Sequence, residues 1–138
     1  MAKYDVFVSS HHADAPFVRD LVRALKKHGV KVWYDEGSLR VGESFMREIE
    51  EALEHSPFFL LIISPDYLSS QWGSFELGVA LGRADSSPKG SHILPVFARS
   101  ANLPPQLKKY ELLDATQLSV EQIAAKVAGV VKQEEMAS

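Results

Sequence analysis

The chain of 138 residues contains no cysteine. That excludes a disulfide scaffold and a cysteine-ligated metal cluster, and it accords with a reducing compartment. Charge of one sign is also lacking: 15 lysines and arginines stand against 18 aspartates and glutamates, a net charge of −3. So balanced a surface has no electrostatic footprint for nucleic acid or an acidic membrane. No apolar run is long enough to cross a bilayer. Nothing near Met1 reads as a secretory signal, because a strand follows almost at once. A cytoplasmic protein is therefore expected, with no nucleic-acid partner and no membrane segment. Internal repeats and low-complexity segments are missing as well.

What remains is the composition of an ordinary globular domain, 46% apolar and 24% charged. The length fits a single domain, assigned to residues 1–133, with a frayed polar tail at 134–138. The first and last elements lie close to the two ends, which fits a complete small protein or one module of a longer chain.

Strands and helices alternate. YDVFVSS (4–10) is a short apolar strand, and VKVWYD (30–35) is a second. FFLLII (58–63) has the unbroken apolar character of a strand buried on both faces, HILPVFA (92–98) is a fourth, and YELLDA (110–115) a fifth. Pro95 has no N–H to donate, so part of the fourth strand is expected to lack a partner on one side. Between the first two strands Asp14 is positioned to cap a helix with Pro16 in its first turn, and Gly29 to end it. Phe45, Ile49, Ala52 and Leu53 mark a second amphipathic helix, and a third follows Ser64-Pro65. LPPQLKK has room for one helical turn. Ser119 and Gln122 form a capping box before a last helix lined by Ile123, Val127 and Val131. Five alternations with short connections predict an α/β, flavodoxin-like three-layer sandwich: a five-stranded parallel sheet, order 2-1-3-4-5, with helices on both faces. Its ligand crevice lies at the carboxyl ends of strands 1 and 3, where SSHHADAP and SPDYLSSQW stand.

The turn after the first strand has no glycine, which sets aside a dinucleotide fingerprint, and no Gly-Lys-Ser/Thr turn supports a P-loop. Ser64 stands where a phosphoacceptor domain would carry an aspartate, and no Gly-x-Ser-x-Gly elbow is present. His11 and His12 are neighbours in a loop and do not easily converge on one ion, so no metal is expected.

One residue raises a question of its own. In SSQWGSFELGVALGRA (69–84), Glu76 is the only charge before Arg83. Wound as a helix, the stretch is apolar on several faces, with Phe75 and Val79 on one side and Leu77 and Leu81 on another. Trp72 lies one turn before Glu76. A carboxylate beside an indole is partly desolvated, and such a pair suits a base or sugar ligand and a cation developing on an anomeric carbon. The alternative is that Glu76 pairs with an arginine such as Arg19 or Arg23 and that Trp72 is plain core.

YDVFVSS, EGSLRVGESF, IISPDYLSSQWGSFELG and LPVF together resemble, in order and spacing, a Toll/interleukin-1 receptor (TIR) domain over nearly the whole chain. Many members, notably bacterial and plant ones, cleave NAD+ between nicotinamide and ribose. The resemblance implies that Glu76 is catalytic and that Trp72, Ser9, Ser10 and His11 contact substrate. In some active members an arginine stands where this chain has His11, and the family's cysteine after the tryptophan is Gly73 here. The acidic residue after the second strand corresponds to Asp35, which reads equally well as a loop carboxylate. NAD+ is then a substrate that is consumed, and no cofactor is expected. The resemblance also implies a competing role as a non-catalytic scaffold, with TIR–TIR self-association through the loop bearing Gly37, Leu39, Arg40, Val41 and Gly42. That loop reads alternatively as an exposed turn whose Leu39 and Val41 fold back on the domain. The two roles can coexist when assembly completes the active site, and further domains of a longer chain are possible partners. A deoxyribosyltransferase-like enzyme on a related fold is the third reading.

Overall fold

A computed structural model of the chain describes residues 4–34, 56–69, 92–103, 105–108 and 110–137. Five strands, β1 (Val6–Ser9), β2 (Val32–Trp33), β3 (Phe58–Ile63), β4 (His92–Phe97) and β5 (Leu113–Asp114), form one sheet in the order β2-β1-β3-β4-β5. Every pairing is parallel. Three α-helices are described: α1 (Ala15–Lys27), the short α2 (Pro65–Ser69) and α3 (Val120–Ala137). The topology is the flavodoxin-like one that the strand–helix alternation implies.

The pleat divides the core. Val6, Val8, Phe58, Leu60 and Ile62 point to one face, where Val18, Leu21 and Leu25 of α1 and Ile123, Val127 and Val131 of α3 cover them. Phe7, Phe59, Leu61 and Ile63 point to the other, packed with Tyr67 of α2 and Leu107. Trp33 stacks on Phe7 with ring centroids 4.6 Å apart. All six residues of β3 are buried, which is why that strand is written as one apolar run. Burying a Leu, Ile or Phe side chain contributes about 1.5–3 kcal/mol each, so β3 is the energetic spine of the sheet.

The helix ends follow local chemistry. Gly29 takes φ +81°, and the bonds Val30 N–H to Leu25 O and Gly29 N–H to Lys26 O close α1 in a Schellman motif. At the start of α3, Ser119 Oγ accepts from Gln122 N–H at 3.1 Å, and Gln122 Oε1 accepts from Ser119 N–H at 2.8 Å. Helical geometry continues to Ala137, into the stretch read from the sequence as a frayed tail. The turn expected in LPPQLKK is a 3-10 helix at Pro105–Leu107.

Two differences from the sequence reading have physical reasons, and the expectation for Pro95 holds. β2 and β5 are two residues each, shorter than the apolar runs that announced them, because their ladders with β1 and β4 span only two pairs. β4 pairs with β3 along its whole length but with β5 only at Val96 and Phe97, so Pro95 lies where no β5 residue is in register. The Phe97 carbonyl accepts from Ala115 N–H on the β5 side. Backbone groups two residues apart project the same way, so the missing N–H of Pro95 faces that side too. Finally, Asp14 precedes α1 but makes no side-chain capping bond, because its carboxylate is engaged elsewhere. The expected second amphipathic helix (Phe45 to Leu53) lies outside the described residues.

Candidate functional site

The crevice at the carboxyl ends of β1 and β3 has a hydrogen-bonded floor. Ser9, the last residue of β1, is buried, and its Oγ lies 2.8 Å from the hydroxyl of Tyr67, which reaches across from α2. Ser64 follows β3 and starts α2: its Oγ accepts from Tyr67 N–H at 3.2 Å. The same Oγ donates to Asp14 Oδ2 at 2.5 Å. Asp14 ends a 3-10 turn (His12–Asp14) after β1. Its other oxygen, Oδ1, accepts from Arg99 Nε at 3.0 Å. Arg99 stands two residues beyond β4 and donates through Nη2 to Asp66 of α2. Thus one serine–aspartate–arginine–aspartate chain links the ends of three strands and the first turn of α2.

Burial is uneven along that chain. The Asp14 side chain is 3% exposed, whereas those of Arg99 and Asp66 are 51% and 47% exposed. A buried carboxylate is tolerated only when its oxygens are partnered, and both oxygens of Asp14 are. Among the described residues no buried side-chain N or O lacks a partner. The hydrogen bond from Arg99 holds the Asp66 carboxyl below its ordinary range; desolvation opposes it, and the charges of Arg99, His11 and His12 add smaller shifts in the lowering direction. The hydrogen bonds to Asp66 and then Asp14 raise the Arg99 guanidinium in turn.

Of the residues that the sequence assigns to substrate, Ser10 and His11 are half-buried at the mouth of this crevice. His11 Nδ1 accepts from Ala13 N–H at 3.0 Å, capping the 3-10 turn, and its ring lies 4.2 Å from that of His12. Ser9 belongs to the floor, with its hydroxyl engaged by Tyr67. Asp35, Trp72, Glu76 and the loop residues Gly37, Leu39, Arg40, Val41 and Gly42 lie outside the described residues. Arg23, named above as a possible partner of Glu76, forms an exposed pair with Asp20 at 3.3 Å. An open hollow of about 630 Å³, lined by Pro65, Leu68, Ser69 and Ser100–Asn102, adjoins Arg99 and Asp66. A groove of about 560 Å³ runs between β5 and α3, lined by Leu113, Val127 and Val130, on the α1/α3 face and away from these strand ends.

Sequence reasoning missed Asp14, Asp66 and Arg99 as a unit. Asp14 and Arg99 are 85 positions apart. The one available hint was an arginine just past the carboxyl end of a strand, at the edge of a sheet that binds ligands there.

The family model described as TIR domain matches residues 6–128. The chain is similar to 2′ cyclic ADP-D-ribose synthase AbTIR of Acinetobacter baumannii, 32% identical over 94% of this chain and 49% of that protein. It is also similar to NAD(+) hydrolase PdTIR of Paracoccus denitrificans, 30% identical over 94% of this chain and 44% of that one. The chain thus spans about half, or less, of the length of these curated relatives. Among solved structures, the TIR domain of the Toll-related receptor TRR-2 from Hydra magnipapillata superposes with a TM-score of 0.70 at 22% identity, covering 98% of this chain and 97% of that one, a likeness of fold. Motif order, strand order and the match over residues 6–128 agree, and this chain belongs to the TIR domain family.

Proposed function

We propose that this domain cleaves the glycosidic bond of NAD+, releasing nicotinamide, and that self-association activates it, in an immune or defence setting. The observation that supports this most is the likeness, across 94% of the chain, to bacterial proteins named as a 2′ cyclic ADP-D-ribose synthase and an NAD(+) hydrolase. The crevice architecture supports it as well. Ser10 and His11 stand at its mouth, and α2 begins beside them and leads along the chain toward Trp72 and Glu76.

In the proposed reaction the bond between ribose C1′ and the nicotinamide ring nitrogen breaks. Its electron pair leaves with nicotinamide, which becomes neutral. The remaining ribosyl fragment develops oxocarbenium character, and the Glu76 carboxylate stabilises that positive charge. Attack by water at C1′, with loss of one proton, gives ADP-ribose. Attack by a hydroxyl or adenine nitrogen of the same molecule gives a cyclic product instead. Self-association through the loop around Gly37 to Gly42 brings a second copy to the site, so a dilute monomer has little activity.

The test is nicotinamide release from NAD+ by concentrated or artificially clustered protein, with Glu76→Ala and Glu76→Gln alongside. Release by the wild type alone, at equal thermal stability of all three, is the expected result. No release from a verified assembly rejects the catalytic reading and leaves a scaffold that acts by TIR–TIR contact. A large stability loss in Glu76→Ala, with an inactive wild type, returns Glu76 to a structural ion pair.

A further inference from the structure

The cleavage just described gives no role to the buried carboxylate of Asp14. Yet Asp14 sits at the junction of every element that frames the crevice. Through Ser64 it touches the end of β3 and the start of α2, and through Arg99 it touches the end of β4. Its own backbone closes the turn that follows His11, since Asp14 N–H donates to His11 O at 2.9 Å. Arg99 extends the connection to Asp66, the second residue of α2.

We infer that Asp14 and Arg99 are positioning residues that clamp the substrate-side loop after β1 to the first turn of α2, and so fix the geometry in which NAD+ is cleaved. This rests on the NAD+-cleaving reading above. Two physical points favour a clamp over a direct contact. First, two carboxylates surround one guanidinium, leaving a net negative cluster that repels a pyrophosphate, so Arg99 is poorly suited to hold the substrate's phosphates. Second, the bridge uses Nε toward Asp14 and Nη2 toward Asp66, two separate donors held rigidly in one planar group. A lysine, with a single ammonium on a flexible stem, cannot reproduce that fork.

A clamp and a purely stabilising ion pair differ in one respect. Removing Arg99 alone leaves the buried Asp14 charge without its cation, which destabilises any fold. Removing both charges, as in Asp14→Asn with Arg99→Gln, abolishes that penalty while the asparagine oxygen can still accept from Ser64. Stability then returns, but the bridge does not.

The experiment uses the full chain, clustered, in five forms: wild type, Arg99→Gln, Arg99→Lys, the Asp14→Asn/Arg99→Gln double variant and Glu76→Gln. Nicotinamide release, thermal midpoint and amide hydrogen exchange at Ala13 and Tyr67 are measured for each. The two amides report the loop and the helix start, since Ala13 N–H donates to His11 and Tyr67 N–H to Ser64. The expected result is a double variant with a near wild-type midpoint, exchange about tenfold faster at both amides, and kcat/KM about tenfold to a hundredfold lower, the size of effect that small misplacements produce. Arg99→Lys should rescue the midpoint more than kcat/KM. A double variant with wild-type exchange and kcat/KM overturns the clamp. If the wild type releases no nicotinamide, the catalytic reading fails by itself. The exchange data then decide the clamp alone: slow exchange at both amides in the double variant overturns it, and fast exchange upholds it as the tie between loop and helix.

Discussion

The contact between Ser9 and Tyr67 offers a quantitative check on how the crevice floor is held. Both residues are buried, at 1% exposure each, and their oxygens lie 2.8 Å apart. Tyr67→Phe removes one partner and leaves the Ser9 hydroxyl buried without it, an expected loss of about 1–2 kcal/mol. Ser9→Ala removes the other partner, with a loss of similar size, about 1–2 kcal/mol. The double variant leaves neither hydroxyl behind, so its loss should also stay near 1–2 kcal/mol instead of doubling. The coupling energy is therefore about 1–2 kcal/mol, well above the ~0.3–0.5 kcal/mol scatter expected of independent sites. With about 2.1 cal/mol/K of unfolding entropy per residue, a 138-residue chain loses about 5 °C of thermal midpoint for 1.5 kcal/mol. Urea and thermal unfolding of the four proteins measure this cycle. Losses that simply add would refute the reasoning, because they would mean that the two hydroxyls do not depend on each other.

Three further outcomes follow from the same structure. Gly29→Ala places a Cβ on a residue at φ +81° and should lower stability by about 1–2 kcal/mol, read as a lower urea midpoint with an unchanged slope. Ser119→Ala removes the Oγ that accepts from Gln122 N–H and should weaken α3 by about 1 kcal/mol in the same assay, with Gln122→Ala having a smaller effect. The folded carboxyl of Asp66 titrates below the ordinary aspartate value of 3.8, so its contribution to stability is present above that unfolded value and disappears as pH falls through the lower folded one. Thermal midpoints between pH 2.5 and 6 should therefore fall more steeply for wild type than for Asp66→Asn below about pH 4, and parallel curves would contradict the Arg99–Asp66 bond.

Sequence patterning was most informative where local chemistry decides the outcome. FFLLII reads as a strand covered on both faces, and β3 has those bounds, because so short an apolar run ended by Ser64-Pro65 suits a strand buried on both faces. Gly29 and the Ser119/Gln122 pair announce helix ends through rules confined to a few residues, and both hold. Legibility falls where partners are distant. The lengths of β2 and β5 depend on how far their neighbours stay in register, which no feature of YELLDA or VKVWYD encodes. Asp14 has the residue type and position of a helix cap, so local reasoning assigned it that role. Its actual partners, Ser64 and Arg99, are 50 and 85 residues away, and a buried carboxylate follows the strongest available donors. The role proposed for Glu76 rests on helix spacing and family resemblance together, since spacing alone leaves a structural ion pair open.

Pro95 has a bearing on how this domain stays apart from its neighbours in a crowded solution. Over the first four residues of β4 the ladder is complete on the β3 side and has no described strand opposite. Where a strand margin lacks a paired neighbour and is open, it is a template on which foreign chains can zip, the first step toward amyloid-like growth. Pro95, the last of those four residues, supplies no donor, so an invading strand would find a gap in its hydrogen-bond pattern there. The residue that limits pairing within the fold thereby also guards against unwanted pairing between molecules.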